Sequence, residues 1–346
     1  MPTLASPLAV TETTAVTTIA SPALWGISIA VLLVLLIMDF VVTRKPHEVS
    51  LREAIGWSSF YLALPLVFGL GLWLVAGGQP ALDFTTGFVV EKSLSVDNLF
   101  VFMLLLTGFA VPAALQQRVL LYGIVGALVL RGIFIALGAA MLEAGTWAFL
   151  VFGGILLITA AKILHEAIKG TSHEKDVSSM RSVRLLRRLM PVTDDYRGPK
   201  MTVREAGKRA LTPLTVVVVA VFATDVVFAV DSVPAVYGIT DDPYLVFTTN
   251  AFALMGLRAL YFVLHSALSR LVHLNHGLAI ILGFIGVKLV LHWAHEIWPS
   301  VPVVPTPISL GVIVLVLATV VFTSLRSTRS HDPVPGVDHH GGAAAR

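Results

Sequence analysis

The sequence predicts an all-α, polytopic membrane protein of about nine transmembrane helices, six of them forming a 3+3 inverted repeat. Three observations carry that prediction. Of 346 residues, 56% are hydrophobic and 13% charged, against about 25% charged in soluble domains. The apolar residues fall in blocks of roughly 18–25, which as helix span ~30 Å of hydrocarbon. The few charges inside those blocks recur twice in the same order. A pI of about 9.2 therefore points to no nucleic-acid partner, because basic residues must first be sorted by membrane side. The lipid bilayer is the expected partner. The chain has no cysteine, which leaves no disulfide, thiolate metal site or cysteine redox chemistry.

Taken in order, residues 1–23 are Thr/Ala-rich without Lys or Arg, unlike a signal or transit peptide, and read as a flexible extracytoplasmic tail. Two leading spans, 24–42 and 55–76, make up residues 24–76. Spans 84–109, 119–141 and 146–165 form the first repeat, 84–165. A basic loop, 166–211, separates it from spans 212–236, 244–265 and 277–295, the second repeat, 212–295. A last span, 308–325, precedes the tail 326–346. Arg44, Lys45, Arg52, Arg118, Arg270, Arg326, Arg329 and the many basic residues of 166–211 all fall on alternate connections. The connections 77–83, 142–145, 237–243 and 296–307 carry none. Excess Lys/Arg marks the cytoplasmic side, so the amino terminus is expected outside and the carboxyl terminus inside, in the cell membrane.

Span three carries Glu91-x5-Asp97 and span six Asp225-x5-Asp231. Spans four and seven follow with Arg131 and Arg258, and spans five and eight with Lys162/His165 and Lys288/His292. An odd number of helices per unit inverts the second copy, and such repeats hold their substrate near the midplane where they meet. Six residues of straight helix give about 9 Å of rise and about 600°, so the two acids of each pair point some 120° apart. Either two acidic layers line a path or the helix unwinds. Pro234 favours disruption, since it removes the amide that would bond the Val230 carbonyl. The expected inner cluster is Asp97, Asn98, Asp231 and Ser232, with Glu91, Asp225 and Asp39 as a second layer. These hard oxygen donors suit Mn²⁺, Mg²⁺ or Ca²⁺. For Glu91, Asp225 and Asp39, pairing with Lys92, Arg131, Arg258 or Lys288 is an equal alternative, because intramembrane charges commonly pair with one another.

The stretches EKSLSVDNLFVF (91–102), DVVFAVDSVPA (225–235), TTNAFALMGLRALYF (248–262), FIGVKLVLH (284–292) and RLMPVTDDYRG (188–198) resemble the TerC family of integral membrane proteins. The similarity covers about residues 50–325. The resemblance implies manganese handling: Alx-like members export Mn²⁺ from the cytoplasm, and relatives are linked to metal supply for exported proteins. Tellurite, which gave the family its name, is an anion that an acid-lined path would repel.

No Walker loop appears, so uphill movement would draw on an ion or voltage gradient, with membrane carboxylates exchanging protons for metal. No resident cofactor is expected, Mn²⁺ being cargo. The chain reads as a non-enzyme, since no nucleophile–base constellation stands out beside Ser232. The rival readings are a membrane scaffold that helps exported or membrane proteins acquire metal, and an intramembrane enzyme. His165, Glu166, His173, Glu174 and Asp176 read as solvated loop. RLLRRL (184–189) could form a basic amphipathic helix on anionic lipid. The tail with His331, His339 and His340 reads as lacking fixed structure.

Overall fold

The structure, a computed structural model, describes residues 18–42, 50–169, 191–193, 195–205, 208–264 and 273–329. Residues 1–17, the 170–190 stretch with His173, Glu174, Asp176 and RLLRRL, and the histidine-containing tail from 330 lie outside the described residues.

Helix α1 (Pro22–Val42) is apolar apart from Ser28 and Asp39. Helix α2 (Leu51–Ala76) starts at a serine N-cap: Ser50 Oγ accepts from the Glu53 amide at 3.3 Å, with Glu53 at the third helical position. It ends at Gly77, whose φ of 94° suits only glycine, and the chain passes straight into α3 (Gly78–Gly108). Helices α4 (Ala113–Ala144) and α5 (Trp147–Ile168) follow, turning at Gly145 with φ 147°. His165 and Glu166, expected in a loop, belong to the last turn of α5, because its apolar face runs on past the basic boundary.

The basic loop expected before the second half contains, in a chain expected to be all-α, an antiparallel hairpin, β1 (Thr202–Glu205) and β2 (Lys208–Leu211), in the register Thr202↔Leu211. Thr212 Oγ1 donates to the Lys200 carbonyl at 2.7 Å and Tyr196 Oη donates to that of Phe109 at 2.8 Å. Burial pushes the Tyr196 phenol up to about 12, so it stays a donor at neutral pH.

Helix α6 (Pro213–Tyr237) contains Pro234 without a break. The expected seventh span is divided at Gly256 into α7 (Pro243–Met255) and α8 (Leu257–Leu264). A Cβ at Gly256 would sit 3.2 Å from Lys92 Nζ and 3.1 Å from Tyr61 Cβ, so the close approach of α2 and α3 requires a residue without a side chain there. Lys92 Nζ reaches the Ala253 carbonyl, 3.2 Å away, at the end of α7. Helices α9 (Leu274–Ile297) and α10 (Thr306–Arg329) complete the chain.

Among the described residues seven helices, α1, α2, α4, α5, α6, α9 and α10, are long and apolar enough to cross a membrane. Helix α3 has the length but carries Asp83, Glu91, Lys92 and Asp97, and α7 and α8 are short, which is why the count differs from nine. Exposed Val34, Leu66, Leu74 and Val75 form apolar outer faces on α1 and α2. One end of the bundle holds the hairpin and the start of α9. The opposite end holds Gly77, Gly145, the 238–242 turn and the 298–305 connection. There Asp242 caps α7 through the Tyr244 amide at 2.9 Å. The same carboxylate takes hydrogen bonds from Thr18 Oγ1 at 2.8 Å and the Ile19 amide at 2.7 Å. The last residues of the expected flexible tail are thus tied to the bundle.

The most extensive helix pairing is α5 on α9. It is close because Gly153 and Gly286 face one another: a Cβ on either would lie 2.9 or 3.1 Å from the other's carbonyl oxygen. Helix α4 packs on α6 and α3 on α7, while α3 and α6 also touch. Replacing Gly153 by Val should cost about 1–3 kcal/mol through overpacking, whereas Gly154→Ala, which points into open space, should be near neutral. Thermal melting of both variants in detergent checks this, and equal midpoints would show that the crossing has slack.

Candidate functional site

The buried charges sort into two kinds of place. The first is a closed polar knot around Arg131, which is 0% exposed. Its guanidinium donates to Glu91 and, through Nη1, to Asn250 Oδ1 at 2.8 Å. Nη2 lies 3.6 Å from Asp225 Oδ1, an ion-pair distance beyond hydrogen-bond length. With its amide oriented to satisfy both neighbours, Asn98 donates to the Leu94 carbonyl at 3.1 Å and accepts from Arg131 Nη2 at 3.3 Å. Helices α3, α4, α6 and α7 each contribute, so the knot clamps the two halves of the bundle. A second clamp lies elsewhere: Arg258 donates to Asp39 and to Gln117 Oε1 (3.2 Å), and Tyr61 Oη donates to Asp39 at 3.2 Å. It joins α1, α2, α4 and α8.

The second kind of place is a cavity. About 530 Å³ in volume, it lies between α3, α5, α6 and α9, toward the hairpin end. Asn98, Thr159, Lys162, Asp231 and Ser232 line it, with Glu166 and Asn275 at its hairpin end. Thr159 Oγ1 donates to Asp231 Oδ1 at 2.7 Å, and Lys162 acts on the same carboxylate electrostatically. Ser232 Oγ is buried without a hydrogen-bond partner among the described residues. Pro234 has no amide to give the Val230 carbonyl, which adds an oxygen on the turn that carries Asp231.

The six-residue spacing on α6 explains the division. The helix is unbroken, so Asp225 and Asp231 point to different neighbours. Asp225 goes to the Arg131 knot and Asp231 to the cavity. Of the expected inner cluster, Asn98, Asp231 and Ser232 share that cavity, while the Asp97 side chain lies outside the described residues. Of the second layer, Glu91 and Asp225 meet at Arg131, and Asp39 sits apart with Arg258. Among the described residues no three His, Asp or Glu side chains converge to hold a metal ion. The donor set around Asp231 is one carboxylate, two hydroxyls and an amide, all hard oxygens suited to a hard cation that keeps part of its water.

Two participants escaped the reading of charges. Thr159 precedes Lys162 by three residues, on the same helix face. Asn250 closes the TTN triplet at 248–250 within an apolar stretch. Both are neutral, and a search for charges passes over them.

Comparison with known proteins agrees on the family. The family model described as Integral membrane protein TerC family matches residues 76–332. An uncharacterized membrane protein of Myxococcus xanthus is 40% identical over 321 residues, 92% of this chain and 97% of the relative. The Escherichia coli K12 protein called putative membrane-bound redox modulator Alx is 38% identical over 333 residues, 92% of this chain and 99% of the relative. An uncharacterized membrane protein of Mycobacterium tuberculosis H37Rv is 40% identical over 278 residues, 80% of this chain and 70% of the relative. No solved structure matches the chain.

Removing the Arg131 charge would leave two buried carboxyl groups uncompensated, a change worth about 3–5 kcal/mol of stability. Arg131→Met should therefore lower the thermal midpoint of the full chain in detergent, and adding Glu91→Gln and Asp225→Asn should recover much of it. Asp231→Asn should cost about 1 kcal/mol or less, because it removes one hydrogen bond at a wet cavity. Comparable losses for Arg131→Met and Asp231→Asn would contradict the division between clamp and cavity.

Proposed function

The chain belongs to the TerC family of integral membrane proteins, and from that premise we propose that it exports a hard divalent cation, Mn²⁺ first among them, through the Asp231 cavity. The observation that carries this reading is that Asp231, held by a threonine hydroxyl and by no guanidinium, lies in a cavity beside the unpartnered Ser232 hydroxyl, while the neighbouring acids Glu91 and Asp225 are held by Arg131. An ion entering the cavity would exchange part of its water for Asp231, Thr159, Ser232 and Asn98. The Asp97 carboxylate on α3 is proposed as the matching ligand from the other half. Lys162 would supply the positive charge that balances Asp231 when the cation is absent.

The pairing of helices supports an inverted repeat in which α3, α4 and α5 correspond to α6, α7–α8 and α9. Exchanging the two sets turns α4-on-α6 into α3-on-α7, and leaves α5-on-α9 and α3-on-α6 unchanged; all four contacts occur. The Lys/Arg asymmetry supports a cytoplasmic hairpin end, which makes the Asp231 cavity inward-facing. Phe152, Leu156, Val233, Val236 and Ile285, all buried, pack between it and the opposite end. Tyr237 stacks on Phe152 with ring centroids 5.8 Å apart, and its hydroxyl donates to the Ile135 carbonyl at 2.7 Å. This is the layer that would have to part for export.

The Arg131 knot supports coupling to protons. Two carboxyl groups face one guanidinium, so a proton moving on or off the pair would change how firmly α6 is held. Mn²⁺ flux in proteoliposomes should then respond to an imposed pH gradient, and indifference to that gradient would remove the coupling. The word redox in the relatives' name applies to those proteins; a chain with no cysteine has no thiol couple of its own.

The decisive test reads cell-associated manganese, calcium and magnesium under manganese stress. Cells would express wild type, Asp97→Asn, Asp231→Asn or empty vector, with membrane abundance matched. Selective manganese depletion by wild type alone is the expected result. Equal metal in all four strains would move the protein to the role of a scaffold for metal loading.

A further inference from the structure

A second cavity, about 340 Å³, opens at the end of the bundle away from the hairpin. Asp83 near the start of α3, Asp241 in the turn after α6, and Lys288 and His292 on α9 line it. Asp241 is exposed and Asp83 half-buried, whereas Lys288 is 8% exposed and forms the floor. The Lys288 ammonium makes no hydrogen bond and no ion pair of contact length among the described residues; the carboxylates that act on it are Asp83 and Asp241. Gln79 Nε2 donates to Asp83 Oδ1 at 2.8 Å and holds that carboxylate in place. His292 is packed edge-on against Phe149, ring centroids 4.5 Å apart.

With no described protein group in contact to replace its hydration, this enclosed ammonium must draw on water held in the cavity. A space this large holds on the order of ten waters at about 30 Å³ each, so the two acids and the lysine meet across solvent. Formally the cavity carries two carboxylates against one ammonium; on Asp241, His292 and Lys288 act as positive neighbours and Asp83 and Glu296 as negative ones. Its excess is negative, which selects cations. The acids are too dispersed to strip an ion, since no three acidic or imidazole groups converge there. A small divalent cation that keeps its inner waters, as Mg²⁺-like ions do, fits the volume.

We propose that this cavity is a second, weaker cation site in which a hydrated divalent cation sits between Asp83 and Asp241 and is displaced by Lys288. The proposal rests on the export reading above and adds its exit step. A cation that reached this side would regain water here. Lys288, a tethered cation already in the cavity, would then compete for the same carboxylates and keep the ion from being trapped.

The test is Mn²⁺ titration of the full chain in nanodiscs, with free Mn²⁺ read from its six-line electron paramagnetic resonance spectrum. Wild type should show a stronger and a weaker class of bound ion. Asp83→Asn/Asp241→Asn should lose the weaker class and keep the stronger, which also shows that the variant is folded. Lys288→Gln should tighten the weaker class about tenfold, equivalent to about 1.4 kcal/mol. Identical binding curves for wild type and Asp83→Asn/Asp241→Asn would overturn the site, and an unchanged Lys288→Gln curve would overturn the competition. Asp231→Asn separates the two readings: it should remove the stronger class alone. If it removes nothing while the Asp83/Asp241-dependent class persists, the Asp231 site fails and the outer site stands.

Discussion

A charge inside an apolar bundle is tolerated only if the protein supplies what water would have supplied. That constraint organises this structure. Arg131 is wholly buried, and four helices converge on it because Glu91, Asp225, Asn98 and Asn250 are what replaces its hydration. Arg258 repeats the solution with Asp39, Gln117 and Tyr61. Lys92 has a different one, a backbone carbonyl at the end of α7. Each basic side chain thus acts as a fastener whose position dictates which helices must be neighbours.

With those fasteners in place, Asp231 stands out by what holds it: a threonine hydroxyl and the field of Lys162 instead of a guanidinium. The difference is produced by helix geometry alone. Six residues of unbroken α-helix turn Asp225 toward α4 and Asp231 toward α5. One residue more or fewer between them would rotate the second acid by about 100°, away from Thr159. The spacing therefore separates a structural acid from an accessible one on a single helix.

The contact between α5 and α9 divides the accessible space in two. Glycines at 153 and 286 bring the helices close enough for Phe152, Leu156 and Ile285 to pack into a dry layer. The cavities on either side differ in kind. The one toward the hairpin surrounds its carboxylate with hydroxyl and amide groups, suited to taking water from an ion. The other spreads two carboxylates around a lysine in a wetter space, suited to giving water back. The proposed export path is this contrast read as a direction.

The sequence by itself determined that the chain is a helical membrane protein, since hydrocarbon thickness sets the block length and leaves little freedom; the TerC resemblance rested on its motif stretches. It also determined the inventory of buried charge, because each charge is conspicuous against apolar neighbours. Partner choice was another matter. Whether Glu91, Asp225 and Asp39 pair or ligate depends on which helix faces which, and only tertiary structure placed Arg131 against the first two and Arg258 against the third. The break at Gly256 was equally hidden, since apolarity runs through it and the cause is the approach of Lys92 and Tyr61 from other helices. Thr159 and Asn250 became visible only as neighbours of a charge. Asp83 and Asp241 lie in connections that read as ordinary loop, and the packing of α9 brought Lys288 into the cavity they line. Local chemistry writes what must be neutralised; the choice of neutralising group is made across the bundle, where sequence separation carries no information.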